Sequence, residues 1–386
     1  MDDIIYDEDP GMMQGTGNGH GFADMYFNEG CLGPNCNLCT TGPIWVRADY
    51  LVWWRSGLDL PALVTTAPDG TPLATAGELG QSSTTTLFGN DNERYPARPG
   101  GRVEAGLWLD QCECWAVGGR FYWLGDATLN YNNSSTGSPI LAIPFTEGQD
   151  GSQDARLLSY PGTFNGSMNA TATSEVFGGD AYLRAQWCQT SWGRVDLLGG
   201  YQFARINEGF VMNSTAADFG GASNQLSDTF DTKNEFHGGV LGLMAHVDHC
   251  WWYVDALAKV GLGNMHQTVD ISGRSVSTVG GTTSVINNSG LFAQPTNVGT
   301  HSRNQFTAIP EVGVNVGWHV TNCLDVNFGY TLIVFTGVVR PGDAIDTTVN
   351  TSQIGGALTG AARPAFNFTD NDLVVHGLNM GLTFKW

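Results

Sequence analysis

The sequence predicts an all-β chain, an up-and-down antiparallel transmembrane β-barrel of about ten strands. Three observations predict it. Apolar and polar residues alternate with a period of two in ten segments, the connections between those segments run long and short in turn, and every short connection holds cysteine. That rhythm sets short turns at one rim and long loops at the other.

The alternating segments lie near 44–55, 101–110, 115–124, 175–187, 192–206, 236–248, 251–262, 308–319, 323–336 and 373–386. Each is long enough to span, because about 9–11 tilted strand residues cross the hydrocarbon of a bilayer. The last is the clearest: Val374, Leu378, Met380, Leu382, Phe384 and Trp386 share a face that His376 alone interrupts, against Val375, Gly377, Asn379, Gly381, Thr383 and Lys385. The ninth sets Leu324, Val326, Phe328, Tyr330, Leu332 and Val334 against Asp325, Asn327, Gly329 and Thr331. Residues two apart in a strand point the same way, so each segment has one oily and one polar face. Aromatic pairs near segment ends, such as Trp53-Trp54, Tyr122-Trp123 and Trp251-Trp252, suit an interfacial girdle. A soluble β-sandwich would also alternate, but its cross-sheet connections would not give this regular rhythm of lengths.

Composition narrows the partners. Only 14% of the 386 residues are charged, where soluble domains carry about a quarter. The net charge of -20, from 17 Lys plus Arg against 37 Asp plus Glu, argues against nucleic acid, whose binding needs clustered cations. Outer-membrane lipid is the expected partner of the oily face. Cell-wall or glycan material and further copies in a homo-oligomer or surface assembly are expected at the loops. No cofactor is expected beyond divalent cations such as calcium, which would relieve repulsion among acidic loops. The 52 glycines often sit inside the segments, as at Gly118-Gly119 and Gly238-Gly239, where they suit curved sheets and give large neighbours room.

Two regions follow: residues 1–43, a flexible acidic arm bearing Asp2, Asp3, Asp7, Glu8 and Asp9, and residues 44–386, the barrel with its long extracellular loops. The opening residues carry no basic and apolar export signal, so a bacterial outer-membrane location presumes that the signal peptide is already removed. Eight cysteines favour export to an oxidising compartment. Cys31, Cys36 and Cys39 precede the first segment, and Cys112, Cys114, Cys188, Cys250 and Cys323 occupy the short connections. The expected arrangement is a disulfide framework tying the arm to the turns, with the pairing left open. A zinc site on Cys31, Cys36 and Cys39 is the rival, weak because its C-x2-C is not repeated.

The polar face predicts a charged interior. Arg47, Asp49, Arg102, Glu104, Arg120, Asp180, Arg184, Arg194, Asp196, Asp255, Lys259, Glu311 and Asp325 all fall on it. Charges in a narrow bore are costly unless paired, so a network of salt bridges with a restricted cross-section is expected. Catalytic patterns are poor: no H-E-x-x-H and no G-x-S-x-G occurs, and no catalytic residue is assigned. His246 and Asp248-His249 sit at a short turn, where packing is the expected role. Glu208, Asp231, His266, His301 and Asp343 would have to meet at the loop rim for a surface hydrolase.

The blocks IWVRADYLVWWRSGLDLPALVTT and GRVEAGLWLDQCECWAVGGRFYWLG, with the closing HGLNMGLTFKW, resemble the planctomycete outer-membrane β-barrel family from about Trp45 to Trp386. The resemblance implies an outer-membrane barrel and carries no active-site residues. The expected role is a structural or adhesive surface protein, a scaffold without enzymatic activity. A narrow porin-like passive channel for small solutes is the principal alternative, and a surface hydrolase the next.

Overall fold

The structure, a computed structural model, describes residues 43–386 except 94, 112, 191, 192 and 355. The acidic arm up to residue 42, with Cys31, Cys36 and Cys39, lies outside the described residues, as does Cys112. The described strands are β1 (Ile44–Arg55), β2 (Leu58–Asp59), β3 (Val64–Ala67), β4 (Thr85–Phe88), β5 (Asn92–Glu93), β6 (Arg98–Trp108), β7 (Trp115–Ser135), β8 (Ile140–Glu147), β9 (Gln153–Ser159), β10 (Phe164–Thr190), β11 (Gly193–Asp218), β12 (Ser223–His249), β13 (Trp252–Val279), β14 (Thr282–Asn287), β15 (Gly299–Thr321), β16 (Leu324–Val338), β17 (Thr348–Val349) and β18 (Asn371–Lys385). Two short 3-10 turns, η1 (Pro341–Ala344) and η2 (Thr351–Gln353), complete the order.

Eleven strands form the main sheet, in the order β12-β11-β10-β7-β6-β1-β18-β16-β15-β13-β14, all antiparallel. β12 also pairs with β13, from His249↔Trp252 to Ser223↔Thr278, so the ladder of ten strands returns on itself, with β14 as a further partner of β13. A second sheet runs β17-β8-β3-β4, with β9 on β8, and β2 pairs β5. β17 lies parallel to β8. The expected plain up-and-down antiparallel transmembrane barrel of about ten strands is therefore corrected. The main sheet has an eleventh strand, β14. The connections read as polar loops contain a mixed five-stranded sheet that shares a core with the wall strands, and the five middle strands run to between 21 and 28 residues.

The extra length has one physical cause. In the half nearer the short turns, β10 points Phe177, Ala181 and Leu183 outward, with Asp180 and Arg184 buried inside. Farther along, the same strand buries Met168, Ala170 and Ala172 inside and points Asn169, Thr171 and Thr173 outward. β11 changes likewise: Leu197, Tyr201 and Phe203 outside with Asp196 and Gln202 inside give way to Asn207 and Asn213 outside with Ile206, Phe210 and Met212 inside. The parity of the strand is constant while the chemistry of its two faces exchanges. On β13 the oily outward stretch, Trp252 to Leu262, reaches about 25 Å at the usual rise and tilt of a barrel strand.

Inward glycines make room for large neighbours at this narrow bore. A Cβ on Gly106 would meet the Trp45 ring at 2.0 Å, and one on Gly317 the Tyr253 ring at 2.1 Å. Read along β11, the interior is layered. Asp196 lies in a charged zone, Ala204 and Ile206 in an apolar septum, Glu208 in a second ionic cluster, and Phe210 and Met212 in a further core shared with the outer sheet.

The expected eight-cysteine framework is corrected as well. Cys188 is an exposed free thiol and Cys323 a buried one, whereas Cys250 is disulfide-bonded. A maleimide reagent is thus expected to modify Cys188 in the native protein and to reach Cys323 only after unfolding, because a thiol reacts only when it is accessible. Peptide mapping that found Cys188 blocked before reduction would contradict this assignment.

Candidate functional site: a charged interior and the segment that closes it

The thirteen inward residues expected from the sequence occupy connected clusters. Nearest the short turns, Asp196 Oδ2 takes Arg184 at 2.5 Å and Arg194 Nε at 3.3 Å, and both guanidiniums lie over the Trp108 ring. Next, Asp49 accepts from Arg47 at 2.9 Å and Arg102 at 2.8 Å. Arg47 Nη2 also donates to the Asn315 and Asn327 amide oxygens, each at 2.8 Å. Above them Arg120 donates to both oxygens of Glu311, at 2.6 and 2.8 Å, and to Asp180 at 2.8 Å. Lys259 joins the last two carboxylates, and the Tyr182 hydroxyl donates to Glu104. At the short-turn rim Asp255 pairs with His246 at 2.6 Å, and Asp325 with His319 at 2.8 Å and Lys385 at 2.9 Å.

Most of these pairs join the same or adjacent strands, but Arg120–Glu311, 191 positions apart in the chain, joins β7 to β15 and so cross-links opposite walls of the ring. Pairing is what a desolvated charge requires, and removal of one partner strands the other. Among the described residues facing the same interior, both atoms of the Gln202 amide and the Tyr122 hydroxyl are buried without a hydrogen-bond partner.

Above the charged zone the septum gathers Leu51, Trp53, Val176, Ile206, Phe236, Met265, Ile309 and Phe335. Trp53 Nε1 donates to Asn379 Oδ1 at 2.8 Å, anchoring the indole to the neighbouring strand β18. The chain leaving β16 then turns inward and is fastened from three walls. Asn234 holds Val339 by both its amide and carbonyl, each at 2.9 Å, and Gln267 donates to Gly337 O at 2.6 Å. Arg340, almost fully buried, donates to Glu208 at 2.9 and 3.1 Å and to Gly57 O at 2.5 Å. Arg55 meets the same carboxylate at 2.5 Å and lies 3.8 Å from the Tyr95 ring centroid. Burial alone would raise the Glu208 carboxyl, but Arg340 and Arg55 outweigh it and hold it at about 2.

Of the residues considered for a surface hydrolase, Glu208 and Asp231 line one cavity of about 530 Å³, and His266, His301 and Asp343 lie outside it. Glu208 is buried in its arginine pair, Asp231 faces the Asp270 position on the neighbouring strand, and His266 bonds Asn304. His301 stacks on Phe366, and Asp343 lies in η1 beside Asn371. Arg55, Asn234, Gln267 and Arg340 were missed as site residues. Arg55 had a signal, since it continues the odd-numbered inward series Arg47, Asp49 and Trp53. Arg340 had none, because nothing in its local sequence says that the connection folds inward.

A strongly hydrogen-bonded ring of strands, oily outside where it is ionic inside, defines the class of outer-membrane β-structured proteins. The chain belongs to the family described as Putative beta barrel porin-7 (BBP7), whose profile matches residues 45–386. The narrower expectation of a planctomycete family is set aside, since the matching family is described by barrel and porin character without a source. The family assignment places the protein at the bacterial outer membrane. Among curated proteins none matches.

Solved structures similar to this chain include the outer membrane protease OmpT from Escherichia coli, at 9% identity and TM-score 0.43, covering 91% of this chain and 99% of that one. The toluene transporter TodX of P. putida is similar at 7% identity and TM-score 0.20, covering 90% and 91%. A FadL homologue of Pseudomonas aeruginosa is similar at 7% identity and TM-score 0.22, covering 89% and 90%. The expectation of a chain without enzymatic activity is withdrawn, because a protease stands among these structures. At that identity and score the likeness assigns no activity either.

Proposed function

We propose that the protein is a narrow passive channel for small solutes, closed in this conformation by the septum and by the inserted segment 337–344. The observation that carries the reading is the ionic, hydrogen-bonding interior at the level where the outer wall is oily. A barrel built only for support would fill that space with apolar side chains at lower desolvation cost. The unpaired Gln202 amide and Tyr122 hydroxyl belong to a lining suited to water and polar solutes. The family's porin character supports the same reading.

The closure is fastened by side-chain bonds to a few residues, so its release needs no change in the wall ladder. In planar bilayers the wild type is expected to show rare, small openings. Asn234→Ala, which removes both bonds to Val339, is expected to open at least about tenfold more often, the equivalent of 1.4 kcal/mol. Silence of both proteins across repeated verified insertions would reject the channel. The surface-scaffold reading would then stand, favoured by the large core that joins the outer sheet to the ring mouth.

A further inference from the structure

Where the outer sheet meets the mouth of the ring, a cavity of about 210 Å³ opens between β8, β9, β12, β13 and the chain at 289–291. Phe145, Ala155, Leu226 and Leu291 form apolar walls, and the exposed Ile354 forms a lip. The polar groups are few: Ser275, Ser289, Asn224 and one cation, Arg156. The Arg156 Nη2 donates to Asn224 O at 3.2 Å, while its buried Nε has no partner. The nearest carboxylate that acts on it, Asp228, is committed elsewhere, accepting from the backbone N–H groups of Leu291, Phe292 and Ala293 at 3.2, 2.9 and 2.7 Å. Arg156 therefore faces the cavity as a charge-bearing donor with a vacant hydrogen-bonding edge.

We propose that this cavity is a binding site for a small amphipathic monocarboxylate, its carboxylate on the Arg156 guanidinium and its aliphatic tail against Phe145, Leu226 and Leu291. A guanidinium presents parallel N–H donors that match a planar carboxylate. The cavity offers one cation, whose charge Asp228 already offsets in part, and that disfavours a phosphate dianion more strongly than a monocarboxylate. The apolar walls and the volume suit a chain of about six carbons, since a pocket of mostly apolar lining with one fixed polar group is the usual form of a small-ligand site. Burial pushes the guanidinium down to about 10 against the opposing pull of Asp228, so a bound carboxylate would restore what desolvation takes away. This site lies in the outer lobe, apart from the bore, and does not depend on conduction.

Hexanoate is the probe. Calorimetry on the folded, detergent-solubilised full chain is expected to give a Kd of about 0.1–1 mM, with hexanamide at least about tenfold weaker. Arg156→Gln should lose at least about tenfold in hexanoate affinity while leaving hexanamide unchanged, and Arg156→Lys should recover part of it. Ile354→Trp, a change at the exposed lip that disturbs no core contact, should slow or block entry. Inorganic phosphate should not compete. Heat-modifiable migration confirms that each variant is folded. Equal binding of hexanoate and hexanamide by wild type, equal hexanoate binding by the folded Arg156→Gln protein, or no binding by the folded wild type would each overturn the proposal.

Discussion

Glu208→Gln is expected to destabilise the protein by about 3–5 kcal/mol, the largest single effect of any charge substitution outside the oily band. Two arginines converge on this one carboxylate, and all three side chains are at most 3% exposed. Glutamine keeps the shape and one acceptor but leaves two buried cations without a counter-charge. Urea titration followed by tryptophan fluorescence measures the loss, and a change within about 0.5 kcal/mol would show the cluster to be energetically idle. The same group makes stability depend on pH. Its folded value of about 2 lies below the ordinary 4.5, so its contribution is complete above about pH 4.5. It is lost progressively as pH falls toward 2, and the Gln variant should lack that acid limb. Because Arg340 belongs to the inserted segment, the variant should also open more often in bilayers.

Trp53→Ala carries the second large effect, a loss of about 3–5 kcal/mol from a large buried side chain replaced by a cavity. The indole is 1% exposed, lies 5.9 Å from the Tyr122 ring, and bonds Asn379 on the adjacent strand β18. Its removal joins the unpaired Gln202 and Tyr122 groups to a hole in the septum, so a steady leak is expected beside the lower stability. Trp53→Phe separates the two consequences: it retains the apolar barrier and loses one hydrogen bond, at about 1 kcal/mol. A Phe variant that leaks as freely as the Ala variant would show that the indole bond, and not the apolar layer, makes the seal.

The ten long wall strands were legible because each carries an oily outward face over part of its length. What stayed hidden was their continuation. From Phe164 to Glu175 the outward residues are Asn, Ser, Thr and Glu while Met168, Ala170 and Ala172 point in, so the apolar signal survives on the opposite face and reads as loop composition. The charged interior was legible from parity alone: Arg120 and Glu311 sit on the inner side of their strands whatever their partner is. Their pairing was not, since it joins residues 191 positions apart. The inward turn of Val339 and Arg340 depends on Asn234 and Glu208 from distant strands, and no local pattern encodes it. The cysteines misled because position in a turn says nothing about the distance between turns; Cys188 and Cys323 remain thiols.

The exchange of face chemistry partway along β10, β11 and β13 also fixes a waterline. On these strands, Phe177 gives way to Glu175, Phe203 to Arg205, and Leu262 to Asn264. Sinking the protein by two residues would draw Glu175, Arg205 and Asn264 toward hydrocarbon together, where a cation costs up to about 1 kcal/mol at the interface and more with depth. Raising it would wet Trp115, Leu183 and Trp252 at the opposite edge. On the channel reading proposed above, the hull floats at a single draught, with its upper works and the outer-lobe cavity held clear of the lipid.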